Sequence, residues 1–435
     1  MRSRFIVLGL LISLACNASF YDIFHKGDKI VLRDKYSGEI LVKSSEAGEV
    51  FAHCLDLLKE ENGGKLDVGP GDFLIDRPLK VGDNVSITGQ GRFSRLVFKG
   101  PFEIGLSIKD GLDVELSDIL IVCRDQSVSS GIIVDNSGSC VIKDAKIVGF
   151  EKYGIVFKNR TFLSKIEGCE LAGNEVSNIY FTKLDSSGRL GDYIPNTISN
   201  CIIVGGGKGI ELDNAFLTNI ISNSFTQCLD HAIHIHTESN AILVNGNHTF
   251  QIDGHSLFIE DYAYEMSISG NMFSWQSGSA LVVRKSCWGS ISGNVFIDSG
   301  FSPDVDNFTT HFKDYEGQYQ LRDAVVLEDV TGYTVNGNTI YNWQVCPQLR
   351  NGILEDSLSY KNIISNNTIN YFKNKAVDSM GKNTIVKDNS SEGDVPYHWL
   401  PSKINKEDVT FELKPGQHHI QSWLRKSAKE YAEKY

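Results

Sequence analysis

From about residue 100 onward the chain is built of short apolar runs in which hydrophobic and polar positions alternate, punctuated by Gly and Asn. Segments shaped like Ile-Ser-Gly-Asn-x-Phe begin at Ile142, Ile166, Ile198, Ile221, Val244, Ile268, Ile291, Val335 and Ile364. Successive starts are 24, 32, 23, 23, 24, 23, 44 and 29 residues apart. A period near 23 with a recurring turn predicts a β-solenoid, because one turn cannot bury its own apolar face whereas stacked turns share a continuous core. The three long intervals predict loops at about 183–196, 299–322 and 342–351. Loops on a rigid scaffold are where binding surfaces gather.

Between these segments lies a second strand in each coil, at 131–135, 154–158, 178–182, 209–213, 232–236, 256–260, 280–284 and 324–328. Alternate residues of a strand share a face. The two inward columns are aliphatic or Phe throughout, as a core requires. The first outward column reads Ile133, Val156, Tyr180, Glu211, His234, Phe258, Val282 and Val326. The second reads Asp135, Lys158, Thr182, Asp213, His236, Glu260, Arg284 and Glu328. A polar second column is what any solvated strand carries. The first is apolar except at Glu211 and His234, in adjacent coils about 4.8 Å apart. An outward apolar column needs a cover, which points to loops or to a homotrimer packed around the helix axes.

Two carboxylates and two imidazoles projecting together suit general acid–base chemistry. Glu211 and Asp213 lie roughly 6.5–7 Å apart at Cα, so both carboxyls can meet one sugar, and glycosidic cleavage commonly uses such a pair. They are the predicted catalytic residues, with Glu211 as acid/base. His234 and His236 are predicted to position substrate, together with Asp230, Glu260 and Arg284. The plainer alternative for each is a solvated or salt-bridged strand face. Imidazoles two apart on a strand can also share a metal, with His231, Asp230 or Glu260 as further ligand. No pattern fixes that ligand, so no metal or other cofactor is expected. Arg284 and Lys285 offer the base a uronate lyase needs, or an ordinary ladder of ion pairs with Glu260. Trp275, Trp288, Tyr262, Tyr264 and Trp343 could stack on sugar rings.

Composition narrows the partners. The net charge of −12 over 435 residues argues against nucleic acid. Arg2 and Arg4 precede an apolar run, 5–15, too short to span a bilayer, so 1–18 reads as a secretory signal. The expected location is secreted or periplasmic, and Ser-Leu-Ala-Cys16 also resembles a lipoprotein box that would anchor the chain through Cys16. No later segment is apolar enough to be transmembrane. The nine cysteines show no CxxC, and Cys169 and Cys201, at equivalent repeat positions, predict stacked buried thiols. After residue 389 the repeat is lost, and 418–435 looks helical.

Residues 47–60 predict an amphipathic helix. It is followed by Gly63-Gly64, Pro70-Gly71-Asp72-Phe73 and Gly89-Gln-Gly91. This order, over 47–100, resembles the N-terminal cap of pectate-lyase-like parallel β-helices. The resemblance implies an all-β, right-handed parallel β-helix, with a short capping helix in front and a capping tail behind. The expected layout is a signal peptide at 1–18, an N-terminal segment and cap at 19–100, the β-helix at 101–390 and a C-terminal cap at 391–435.

From about 140 to 345 the coil order also resembles the inulin fructotransferase family, β-helical trimers that cleave inulin. That family is understood to use an Asp and a Glu eleven positions apart. The register sets Glu211 at the Glu and Asn200 at the Asp, which makes Asn200 a further candidate substrate contact and leaves Asp213 to supply the second carboxylate. The expected function is therefore an exported carbohydrate-active enzyme that breaks glycosidic bonds, with inulin-type fructan as first substrate. The alternatives are a lyase or hydrolase on an acidic glycan such as pectate, alginate or carrageenan, and a non-catalytic glycan-binding surface protein.

Overall fold

The computed structural model describes residues 19–182, 195–300, 322–342 and 349–392. The predicted signal segment with Cys16, most of the three long loops, Trp343 and the tail beyond 392 lie outside the described residues.

The described chain is nearly all β, wound into a parallel solenoid of about 12 turns. Although Leu281–Ser292 runs unbroken through two faces, most turns hold three short strands where the sequence predicts two. In one turn these are Asn196–Ser199, Ile202–Val204 and Lys208–Asp213. Each pairs in parallel with its equivalent in the next turn, Phe216–Ile221, Ser224–Thr226 and Ile233–His236. The Ile-Ser-Gly-Asn-x-Phe segments are thus not single strands. Tyr264–Ser269 ends at Gly270, whose φ is 64°, and Met272–Gln276 starts the next face. The motif encodes a corner.

At that corner backbone groups leave the strand ladder and must find other partners. Asn271 supplies them: its Nδ2 donates to Val244 O and to Asn294 Oδ1, both at 2.9 Å. Its Oδ1 accepts the backbone N–H of Asn247 at 2.9 Å and the Asn247 Nδ2–H at 3.0 Å. Asn223, Asn247, Asn271, Asn294, Asn338 and Asn367 continue this buried column up the stack. Cys201 and Cys169 occupy the same corner one and two turns earlier, both buried, with Sγ donating to backbone oxygens. The seven described cysteines are free thiols.

Helix Ala47–Glu60 forms as predicted and buries Val50, Phe51, Cys54, Leu55 and Leu58. Phe51 meets Phe73 edge-on at 5.4 Å, which seats the helix on the first turns. Ahead of it, Ser19–Lys26 and Lys29–Asp34 form a hairpin that pairs Lys26 with Lys29. Gly27, at φ 66°, takes the positive-φ position of that two-residue turn. Ser19–Lys26 also pairs in parallel with Gly64–Val68 and so joins the hairpin to the stack.

The third face carries the columns read from the sequence, and their register holds. Tyr180 pairs with Glu211, Glu211 with His234, His234 with Phe258 and Phe258 with Val282. The column also extends further than expected, beginning at Lys80 and Ser107 and ending at Leu354 and Asp378. Its apolar members need no second subunit as cover: Ile133, Val156, Phe258, Val282 and Val326 are all at most 9% exposed within one chain. Phe258, Val282 and Val326 pack together with Leu354.

Candidate functional site

Glu211 and His234 sit at the middle of this face, and neither is solvated, as the plainer alternative would have it. Glu211 is 7% exposed and His234 8%. The reason is the rings and stems around them. His234 stacks on Phe258, with ring centres 5.1 Å apart, and on His236 at 4.4 Å. His231 meets His234 edge-on at 5.3 Å and stacks on His255 at 5.2 Å.

The Glu211 carboxylate is held from three sides. Ser177 Oγ donates to Oε2 at 2.6 Å, Lys208 Nζ donates to Oε1 at 2.5 Å, and His236 Nε2 lies 3.4 Å from Oε1. Burial alone would raise its pKa, but contact with His236, Lys208 and Ser177 outweighs burial and brings it down to about 2. With its pKa held this low, Glu211 is an anion at neutral pH and poorly suited to donate a proton. Burial pushes His234 down to about 3 and His231 and His255 down to about 4, with neighbouring cations adding to the effect. These imidazoles are neutral at physiological pH.

Asp213 accepts hydrogen bonds from the Tyr180 hydroxyl at 2.9 Å and Thr182 Oγ1 at 3.2 Å, and stands 3.8 Å from His236 Nδ1. Tyr180 stacks on Tyr153 at 4.7 Å, a two-ring platform one coil before Glu211. On the other side, His234 Nε2 pairs with Glu260 Oε1 at 3.1 Å. Arg284 bridges Glu260 (3.5 Å) and Glu328 (2.7 Å) and lies over the Phe258 ring. Burial, then the neighbouring Asp261, raises the Glu260 pKa. Asp230 is also raised by burial and pairs with His231 at 3.3 Å.

The structure thus gathers Glu211, Asp213, Asp230, His234, His236, Glu260 and Arg284 on one face. It does not bring Asn200 there. Asn200 is exposed in the corner between the first and second faces, at φ 55°, and binds Ile221 O through its backbone. Its register with an Asp of the fructotransferase family therefore has no counterpart at this site. The sequence reading missed Lys208, Ser177, His255, Tyr153 and the hydrogen-bonding role of Tyr180. Ser177 and Lys208 are cross-strand partners, so aligning the coils one step earlier would have paired them. Glu211, His234 and His236 each aim one ligand atom such that all lie within 4.8 Å of one another, a set able to hold a metal ion. Trp288 and Tyr262 stay exposed elsewhere on the solenoid.

Residues 105–251, which include this cluster's Glu and both His, match the family model described as periplasmic copper-binding protein (NosD). No curated protein matches the sequence. Among solved structures, the A-module of Azotobacter vinelandii mannuronan C-5 epimerase AlgE4 superposes with a TM-score of 0.57 at 10% identity, over 80% of this chain and 96% of that one. The AlgE6 A-module of the same organism gives 0.54 at 12% identity, over 79% and 94%. The N-terminal fragment of bacteriophage phi29 gene product 12 gives 0.61 at 16% identity, over 78% of this chain and 63% of the fragment. At such identities the likeness is one of fold. The period, the parallel register and these superpositions make the chain a right-handed parallel β-helix protein.

Proposed function

We propose that the protein is an exported enzyme that lays a polysaccharide along the third face and breaks its glycosidic bonds over Glu211 and His234. One observation carries this reading: between Ile133 and Val326 an outward column of mostly buried apolar and aromatic residues is interrupted by one ion-paired carboxylate and one imidazole, side by side. Burying such groups is costly, and strongly shifted titrations of this kind gather at functional sites.

Environments that push two carboxyls apart in pKa divide the labour between them. Glu211, permanently ionised, stabilises the positive charge that develops on a sugar ring as its glycosidic bond breaks. Glu260, whose affinity for protons is raised, is the group suited to protonate the leaving oxygen. Asp213, oriented by Tyr180 and Thr182, supplies a second anion beside the same sugar. The Tyr153–Tyr180 platform offers a face for ring stacking. Inulin-type fructan is the first substrate to test. The periplasmic description of the matched family agrees with action outside the cytoplasm.

A second reading has its own support. Arg284 beside Glu260 could neutralise a uronate carboxylate, and two of the structural neighbours are mannuronan epimerases by name. In that case the site abstracts a proton next to the carboxylate, and no glycosidic hydrolysis occurs. Incubation with inulin, mannuronan, pectate and carrageenan, followed by thin-layer chromatography and absorbance near 235 nm, separates the two. Saturated oligosaccharides support cleavage at Glu211. Unsaturated or epimerised uronates support the second reading. Binding without any product leaves a glycan-binding protein and ends the catalytic proposal.

A further inference from the structure

We infer that Glu211, His234 and His236 form a binding site for one divalent first-row transition-metal ion. The inference stands apart from the glycan reading, because it rests on the donor atoms of the chain alone.

The argument begins with two imidazole nitrogens. His234 Nδ1 is buried without a hydrogen-bond partner, and His236 Nε2, equally buried, makes no well-formed hydrogen bond and has only Glu211 Oε1 nearby, at 3.4 Å. Leaving buried nitrogens so poorly partnered is costly. The other nitrogen of each ring already has a partner. His234 Nε2 faces Glu260 Oε1 at 3.1 Å, so an N–H there leaves the Nδ1 lone pair free. His236 Nδ1 shares a hydrogen bond with Thr237 Oγ1 at 2.8 Å, in which the hydroxyl can donate, and its Nε2 stands 3.4 Å from Glu211 Oε1, where an entering ion would take the place of a proton. A carboxylate holding the far nitrogen of an imidazole is the usual outer support of a metal-bound histidine. Glu260 has that place behind His234, and Arg284 in turn holds Glu260.

Distances agree with an ion of this class. Donors about 2.1 Å from a tetrahedral ion stand about 3.4 Å from one another. Glu211 Oε1 and His236 Nε2 are 3.4 Å apart. One ligand atom from each of the three residues falls within 4.8 Å of the other two. Two imidazole nitrogens and one carboxylate oxygen favour zinc, copper or nickel; calcium and magnesium want oxygen ligands in larger number.

Lys208 bears directly on this site. Its ammonium sits 2.5 Å from the same Oε1 that faces His236. It balances the Glu211 charge in the metal-free chain and must swing aside, or share the carboxylate, when an ion enters. Lys208 is therefore a built-in competitor, and removing it should tighten metal binding.

The test uses the full chain, stripped with EDTA and dialysed, with no glycan present. Calorimetric titration with Zn2+ should find one ion per chain, and Ca2+ at the same concentration should give no comparable heat. Glu211→Gln, His234→Ala and His236→Ala should each weaken Zn2+ binding by about 100-fold or more, whereas Lys208→Met should strengthen it by about 10-fold. Far-UV circular dichroism confirms that each variant is folded. A readout free of variants is the electron paramagnetic resonance spectrum of Cu2+ added at one equivalent, which should carry coupling to two nitrogens. Absence of Zn2+ binding in both the wild type and Lys208→Met overturns the site. So does binding that survives all three ligand substitutions, or a Cu2+ spectrum without nitrogen coupling.

Discussion

Replacing Glu211 by Gln tests the electrostatics of the cluster before any substrate is known. The carboxyl has a pKa of about 2 in the folded chain against an ordinary 4.5. That difference of about 2.5 pH units, at about 1.4 kcal/mol per unit, is about 3 kcal/mol of stability contributed by the ionised form. A folded pKa below the unfolded one contributes fully above about pH 4.5 and is lost as pH falls toward 2. A second route gives a similar figure: removing one member of a buried ion pair costs about 3–5 kcal/mol, and Lys208 then faces an uncharged amide. Glu211→Gln should therefore lower stability at pH 7 by about 3 kcal/mol. Replacing both partners removes the orphaned charge, so Lys208→Met/Glu211→Gln should be less destabilised than the sum of its single variants by at least about 1 kcal/mol. Urea unfolding of the four proteins, followed by circular dichroism, gives the cycle. A Glu211→Gln variant within 0.5 kcal/mol of wild type (well under the ~3 kcal/mol expected), or a strictly additive double variant, would refute the reasoning.

Three further outcomes follow from the same structure. Asn271→Ala leaves the Asn247 N–H and Val244 O without their partner in a buried corner, so it should cost about 3–5 kcal/mol in urea unfolding; a cost under about 1 kcal/mol would mean that water replaces the amide. In EDTA, the low pKa values of His231, His234 and His255, against an ordinary 6.5, mean that the unfolded chain takes up protons first as pH falls below 6.5. Stability should then drop by up to about 1.4 kcal/mol per pH unit for each imidazole, and a urea midpoint unchanged between pH 7.5 and 5.5 would show that these rings are solvated. Once a substrate is in hand, Glu260→Gln should lower kcat by about 100-fold or more with KM little changed, as loss of a proton donor does; a change in KM alone would make Glu260 a binding residue.

The fold was legible because its two signals are periodic. The corner Asn and the alternating strand positions repeat every turn, so the columns could be aligned by eye, and the Glu211–His234 adjacency is right to the residue. The third strand per turn was not legible, since runs as short as Ile202–Val204 carry no period of their own. The hairpin at Gly27-Asp28 was readable from its turn chemistry and was overlooked. The site was half visible. Polar residues in the outward columns stand out against apolar neighbours, whereas Lys208 lies three residues from Glu211, off the two-residue period, and reaches it only through its long stem. Burial of Glu211 was invisible for a different reason: it comes with contacts from Ser177 and His236 of the neighbouring coils and from the Lys208 stem. Asn200 was misplaced because spacing along the chain says nothing about which corner a residue turns.

The most direct test of the account is turnover of whichever polysaccharide the panel identifies, measured for Glu211→Gln and His234→Ala beside Glu170→Gln, an ion-paired carboxylate on another face. The account predicts a loss of at least about 100-fold in kcat for the first two and wild-type turnover for the third, with all three proteins folded. Full activity in Glu211→Gln and His234→Ala would contradict it.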